Sequence, residues 1–304
     1  MNTRRLTAFV KRAFPRWHTR WVRHQQQRQR RTIGAILARP GAPQHYDSCP
    51  LFAELQKTYC QVPHDYKYDA FSVWQRGVER AQCLLQRTGL QPPGSTILEA
   101  ACGDGMTGSA LSAYGHHVTL TDLEDWRDAR AKALPFVLGN LCGCLNLAPG
   151  LFDLIYSFNA FEHVDDPQKV LTGLLRMCKP GGMIYINFCP LYASPWGLHA
   201  YRTIFAPYPQ YLFSMDFIER QLQAAGGVSD LGRQRETLQQ LNGWTLAQFD
   251  HLWKTCGAKI VELETCTDYT QLNLIRRLPD AFSGRGLTFD DVVTDEIFVL
   301  LKKQ

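Results

Sequence analysis

Between residues 96 and 188, short apolar runs alternate with stretches whose apolar residues recur every three or four positions. The runs predict strands at Thr96–Ala100, Val118–Thr121, Phe136–Leu138, Phe152–Phe158 and Met183–Phe188. The periodic stretches predict helices near Met106–Tyr114, Asp125–Ala133 and Pro167–Cys178. Upstream, a helix is expected over Tyr66–Leu90, with Phe71, Trp74, Val78, Ala81 and Leu84/Leu85 on one side and Gln91-Pro92-Pro93-Gly94 as its stop. After Phe188 the rhythm breaks: residues 190–242 are rich in proline and aromatics and predict a cap over the sheet edge. Alternation returns with a helix at Thr245–Cys256, a strand at Lys259–Glu264 and a last strand at Glu296–Leu301. Strand and helix in alternation predict an α/β, doubly wound, mostly parallel sheet with ligands at the carboxyl ends of its strands.

Charge divides the chain. The net charge of +5 conceals 11 Lys and Arg with no Asp or Glu in residues 1–40, so the remainder carries −6. Leu6, Phe9, Val10, Phe14, Trp17 and Trp21 share one helical face of that segment, with Pro15 as a kink or a helix start. Residues 1–45 are therefore expected to be a basic amphipathic arm, either solvated or suited to peripheral contact with an anionic membrane through residues 1–40, and residues 46–304 one domain with the cap inserted. Nothing downstream repeats the basic pattern, so no nucleic-acid partner is expected. No apolar run approaches the roughly 18 residues that cross a bilayer, and no secretory h-region is present, so the expected location is cytoplasmic. The ten cysteines fit reduced thiols; Cys142 and Cys144 form a C-x-C without a second pair at zinc-finger spacing.

The chemistry concentrates in ILEAACGDGMTGSA, Ile97 to Ala110. Gly103, Gly105 and Gly108 read as G-x-G-x-x-G, and Asp122 ends the next strand at about the distance where dinucleotide folds place a ribose-binding acid. Glu99 lies four residues before Gly103, where its charge would repel a pyrophosphate, and the lysine of a phosphate loop is missing. S-adenosylmethionine carries an ammonium and a sulfonium and no phosphate, so negative charge at Glu99 selects it over NAD or ATP.

EAACGDG resembles the first motif of class I S-adenosylmethionine-dependent methyltransferases, of the kind called methyltransferase type 11. TLTDL (Thr119–Leu123), GNL (Gly139–Leu141), FDLIYSFNAFEHVDDP (Phe152–Pro167) and RMCKPGGMIYINF (Arg176–Phe188) resemble the later motifs in order, and the resemblance covers residues 66–192 well and 243–304 loosely. It implies a Rossmann-like sheet with an antiparallel last strand, S-adenosyl-L-methionine as cofactor, and cofactor contacts at Glu99, Ala101, Cys102, Gly103, Gly105, Asp122, Leu123, Asn140, Leu141 and Asn159. Asp122 would accept from both ribose hydroxyls, and Asn140 would stand where relatives often use Asp at the adenine. Ala101 replaces the family's usual first glycine.

No Asn/Asp-Pro-Pro-Tyr motif follows the fourth strand, which disfavours N-methylation of nucleic acid or protein amides. The cap resembles those of methyltransferases in bacterial cell-surface polysaccharide or lipid-linked sugar assembly, which implies O-methylation of a sugar or glycan, with cap aromatics available to stack on sugar rings. A quinone-like or phenolic acceptor is the enzymatic alternative, and a silent cofactor-binding module the non-enzymatic one. A sugar hydroxyl needs a base; His199 of the cap is expected in that role, with His163 as an orienting group. Glu162-His163 is similar to members that bind a divalent metal, but a carboxylate expected at 159 is Asn159, so no metal is expected.

Overall fold

The computed structural model describes residues 15–59, 68–90, 93–143, 145–230 and 233–304, apart from the side chains of 15–23, 230, 233 and 234. Leu6, Phe9, Val10, Phe14 and Cys144, the side chains of Trp17 and Trp21, and the start of the expected helix at 66–67 lie outside the described residues.

Seven strands form one sheet: β1 (Thr96–Ala100), β2 (His117–Asp122), β3 (Phe136–Leu138), β4 (Phe152–Phe158), β5 (Cys178–Phe188), β8 (Lys259–Thr267) and β9 (Thr294–Lys302), in the order β3-β2-β1-β4-β5-β9-β8. The first five are parallel; β9 inserts antiparallel between β5 and β8, as expected for the last strand. Strand order reverses between β1 and β4, which opens a crevice at their carboxyl ends. Both candidate segments, the 101–105 turn and residues 159–163, emerge there.

Strand alternation fixes the faces. Ile97, Leu154, Tyr156, Tyr185, Phe298 and Leu300 pack with helices α3 (Ala70–Thr88) and α4 (Met106–Ala113). Leu98, Ile155, Ile184, Ile186 and Val299 pack with α5 (Pro167–Met177) and α8 (Leu246–Thr255). Glu99 shares parity with Ile97 and so faces α4.

The expected helix before β1 forms with a different buried stripe. Val73, Gly77, Ala81, Leu84 and Thr88 are buried, whereas Phe71 is 71% exposed and Trp74 37%. Gly77 decides the rotation: a Cβ there would lie 2.7 Å from the Met106 carbonyl, so α3 and α4 touch backbone to backbone. The helix expected at Asp125–Ala133 shrinks to one 3-10 turn, Ala129–Ala131. Asp125 and Asp128 accept from the amides of Arg127 and Arg130 and pair with their guanidiniums, local bonds that compete with helix.

The cap holds α6 (Pro209–Leu212), α7 (Met215–Ala224) and a hairpin of β6 (Val228–Asp230) and β7 (Arg233–Arg235). Four of its aromatics are core: Tyr208, Tyr211, Phe213 and Phe217 are buried in a third cluster, so these rings offer no face to a sugar, whereas Tyr192, Trp196, Tyr201 and Phe205 are half-buried. The same cluster takes Ile33, Ile36 and Leu37 from α1 (Pro15–Leu37), Leu55 from α2 (Cys49–Thr58), and residues of α9 (Leu272–Arg277) and α10 (Phe289–Val293). Arg30 makes a bidentate ion pair with Asp290. The last turn of the basic segment is thus part of the folded body. Among the described residues, no helix is long and apolar enough to cross a membrane.

Candidate active site

The turn after β1 is built from left-handed residues: Ala101 (φ +58°), Gly103 (φ +53°) and Gly105 (φ +69°). Glycine relieves two of these positions; Ala101 carries its Cβ into a region that costs an L-residue roughly 1–2 kcal/mol. The departure from the family pattern at Ala101 is thus conformational. Gly105 is also sterically required, since a Cβ would meet Leu120 at 2.9 Å. Buried Cys102 anchors the turn to β2 by donating its amide to the Thr121 carbonyl at 3.0 Å.

Two carboxylates occupy the amides at the start of α4. Asp104 Oδ1 accepts from Met106 N at 2.9 Å, and Glu99 Oε2 from Gly108 N at 2.9 Å. A helix N-terminus binds phosphate through such free amides; here they are filled internally by acids. This corrects the expectation for Glu99. It is 5% exposed, and burial pushes its carboxyl up to about 8 against the pull of the Gly108 amide. It fastens β1 to α4 from within the core. Two of the first three amides of α4 are thus already taken, which disfavours a pyrophosphate there.

Asp122 ends β2 with Oδ2 accepting from Gly103 N at 2.8 Å and Oδ1 from Leu123 N at 2.7 Å. Burial raises its carboxyl, and these amides oppose the rise. Each carboxylate oxygen keeps a lone pair for a further donor, as a ribose diol requires. Around it the space suits S-adenosylmethionine: a Cβ on Gly103 would meet nothing within 4 Å, and Leu123 (63%) and Leu138 (64%) expose apolar side chains at the ends of β2 and β3. Asn140 spends its Oδ1 on the Cys142 amide at 2.8 Å, which leaves its amide group as a donor, and Leu141 is half-buried beside it. The residues present fit that cofactor.

Past β4, Asn159 adopts φ +51°, donates its amide to the Asn187 carbonyl at 2.8 Å and lies 3.9 Å from Cys189 Sγ. It forms part of the wall of a cleft of about 790 Å³ between α3 and the ends of β4, β5 and β9. Arg80, Asn187, Cys189 and Glu296 also line it. Arg80 stacks over Phe158 at 4.6 Å and makes no ion pair among the described residues. Arg87 lies over Phe298 at 4.2 Å and pairs with Glu262 and Glu264. The sequence reading missed this wall, although Arg76, Arg80, Cys83 and Arg87 repeat at helical spacing on the side of α3 that flanks its buried stripe.

The structure brings His163 and His199 together, with rings 4.8 Å apart and nearly perpendicular, next to buried Glu162. His199 Nε2 donates to the Pro190 carbonyl at 2.9 Å. Burial, reinforced by His163, lowers its pKa to about 3. Such a ring is a poor proton acceptor near neutral pH, so the expected role of His199 as general base is not supported.

Residues 98–186 match the family model described as a methyltransferase domain. Over 111 residues the chain is 29% identical to the ubiquinone biosynthesis O-methyltransferase of Pectobacterium carotovorum, covering 34% of this chain and 46% of that protein. Over 154 residues it is 27% identical to the S-adenosyl-L-methionine-dependent Diels-Alderase iliD of a Neonectria species, covering 49% and 63%. The chain spans about half the length of the ubiquinone-pathway relatives it matches. Among solved structures, an S-adenosylmethionine dependent methyltransferase from Mesorhizobium loti aligns with a TM-score of 0.45 and 18% identity, over 73% of this chain and 98% of that one. Residues 98–186 are thus a methyltransferase domain, with the motifs in order on a sheet of this topology.

Proposed function

We propose that the protein transfers the methyl group of S-adenosylmethionine to a hydroxyl oxygen of a polar small molecule, a sugar or lipid-linked glycan. The observation that carries this reading is the cleft near the glycine turn, whose wall carries Arg76, Arg80, Asn159, Asn187 and Glu296 among its apolar residues. The cofactor, when bound, supplies an electrophilic methyl that needs only an aligned nucleophile and a site shielded from water. On this reading Asp122 and the 101–105 turn hold the cofactor, and Asn159 borders both ligands. Arg80 and Asn187 orient acceptor hydroxyls. The polyhydroxylated acceptor is favoured because the aromatic faces at Phe158 and Phe298 are already covered by guanidiniums, leaving hydrogen-bonding groups to read the ligand.

A phenolic or quinone-like acceptor is the second reading, supported by the names of the ubiquinone-pathway relatives. The test supplies labelled S-adenosylmethionine with sugar nucleotides and lipid-linked glycans in one series and with catechol-type phenols in another. A single-methyl mass gain on a sugar, with release of S-adenosylhomocysteine, is expected. Gain only on phenols replaces the first reading with the second, and cofactor binding without release in either series points to a silent module. In the active series, Arg80→Ala raises KM about tenfold, the worth of roughly 1.4 kcal/mol of acceptor binding, with cofactor affinity unchanged.

A further inference from the structure

We propose that Glu296 is the general base of the methyl transfer, taking the proton of the acceptor hydroxyl; this rests on the O-methylation reading above. The residue stands near the start of β9, where the antiparallel strand brings its first residues beside the carboxyl end of β5. Side chains alternate along a strand, so Tyr185 and Asn187 of β5 and Glu296 and Phe298 of β9 share the sheet face that looks toward α3. All four line the cleft. Glu296 Oε1 accepts from Asn187 Nδ2 at 2.6 Å, and the main-chain carbonyl of Asn187 accepts from the Asn159 amide at 2.8 Å. Glu296 is thus linked through one residue to Asn159, the position that borders both ligands.

A sugar hydroxyl, with a pKa far above neutral, needs its proton removed in the transition state, and His199 is too weak a base to remove it. The other titratable groups nearby are committed elsewhere. Glu264 is exposed and pairs with Arg87 at 3.0 Å, and Glu79 is exposed and accepts from Gln75 at 2.8 Å. Burial pushes the Cys189 thiol and the Tyr185 phenol well above their usual ranges, so neither ionises readily near neutral pH. Burial also pushes the Glu162 carboxyl up to about 8, where it holds its own proton at neutral pH.

Glu296 differs from all of these. It is half-buried, and among the described residues no cation pairs with it. An ion pair would hold the negative charge and lower its basicity. Its partners are neutral instead: the Asn187 amide and the Cys266 thiol, which donates to the same carboxylate. A carboxylate accepts at about four lone-pair sites, so two neutral donors fix its orientation and leave room for a substrate hydroxyl. In the step, the acceptor oxygen bonds to the methyl carbon as the carbon–sulfur bond breaks. The bond pair leaves with sulfur, which becomes the neutral thioether of S-adenosylhomocysteine. The hydroxyl proton passes to Glu296 and from there to water.

The test uses Glu296→Gln in the full-length protein, which keeps the size and hydrogen bonding of the side chain and removes its basicity. With a sugar acceptor that the wild-type protein methylates, turnover should fall about 10²–10⁴-fold, the worth of general-base catalysis. Calorimetry should give affinities for S-adenosylhomocysteine and for the acceptor within about threefold of wild type. A structural role would lower turnover alike with every acceptor. A base makes the loss shrink as the acceptor hydroxyl becomes more acidic, so a fluorinated sugar and then a phenol should lose progressively less. Circular dichroism checks folding; if Glu296→Gln does not fold, Glu296→Ala carries the test, with added formate expected to restore turnover. Turnover within about threefold of wild type in the folded variant, an equal loss with every acceptor, or no response to formate would overturn the assignment and leave O-methylation standing. Transfer to no hydroxyl by the wild-type protein would refute that reading, and the base with it.

Discussion

The cofactor end and the acceptor end of this crevice are built in opposite ways. At the cofactor end, β1, its turn, the start of α4 and the tip of β2 come from residues 96–122, and almost every polar group is bonded to a backbone amide close by in sequence. At the acceptor end, Asn159 and Glu162, Asn187, His199 and Glu296 come from four separate segments, and α3 supplies one wall. The first is a local motif that any chain with those residues would form once the strand pairs. The second exists only because the ends of β4, β5 and β9, α3 and the cap meet there. Their supporting cores differ too: α3 and α4 pack beneath the turn, whereas the cap rests on the cluster that includes the last turn of α1.

That comparison is broken most directly at Asp122. Asp122→Ala removes the carboxylate from both the turn and the ribose position, and affinity for S-adenosylhomocysteine should fall about 10²–10⁴-fold, two charge-assisted bonds of roughly 1.5–3 kcal/mol each. Calorimetry measures it, and wild-type affinity would refute the ribose assignment. The second effect belongs to the acceptor side. Ile33 is fully buried in the cap cluster, so Ile33→Ala should cost about 2–5 kcal/mol and lower the thermal midpoint by several degrees. Cofactor affinity should stay within about twofold below the transition if the two ends are independently supported; a matching loss of affinity would show them to be one unit. The smallest effect is at the strained turn. Ala101→Gly relieves a left-handed φ and should raise stability by up to about 1 kcal/mol, net of the extra freedom glycine gains when unfolded. A lower midpoint would mean that the alanine methyl contributes packing worth more than the strain.

The strands from Thr96 to Phe188 were legible because a parallel sheet buried on both faces leaves continuous apolar runs in the sequence. The turn was legible because glycines and acids act within a few residues of themselves. Helix faces were less so: periodicity around Phe71 and Trp74 misled, since Gly77, the smallest residue in the helix, sets which side approaches Met106. Tyr208, Tyr211, Phe213 and Phe217 of the cap misled for a related reason. A tyrosine reads alike whether it awaits a ligand or fills a core, and only its neighbours distinguish the two.

By itself, then, the sequence determined the alternating sheet, the glycine turn, the acid at the end of β2 and, through motifs in order, the methyltransferase domain of residues 98–186. These follow from interactions over short separations, where spacing along the chain equals spacing in space. Tertiary structure alone decided that Glu99 is a buried fastener, that the end of α1 belongs to the core, and that His199 lies against His163 with its proton committed to Pro190. Burial sets whether a carboxyl carries charge, and partners set which ring nitrogen keeps a lone pair. Both depend on what folds in from far along the chain.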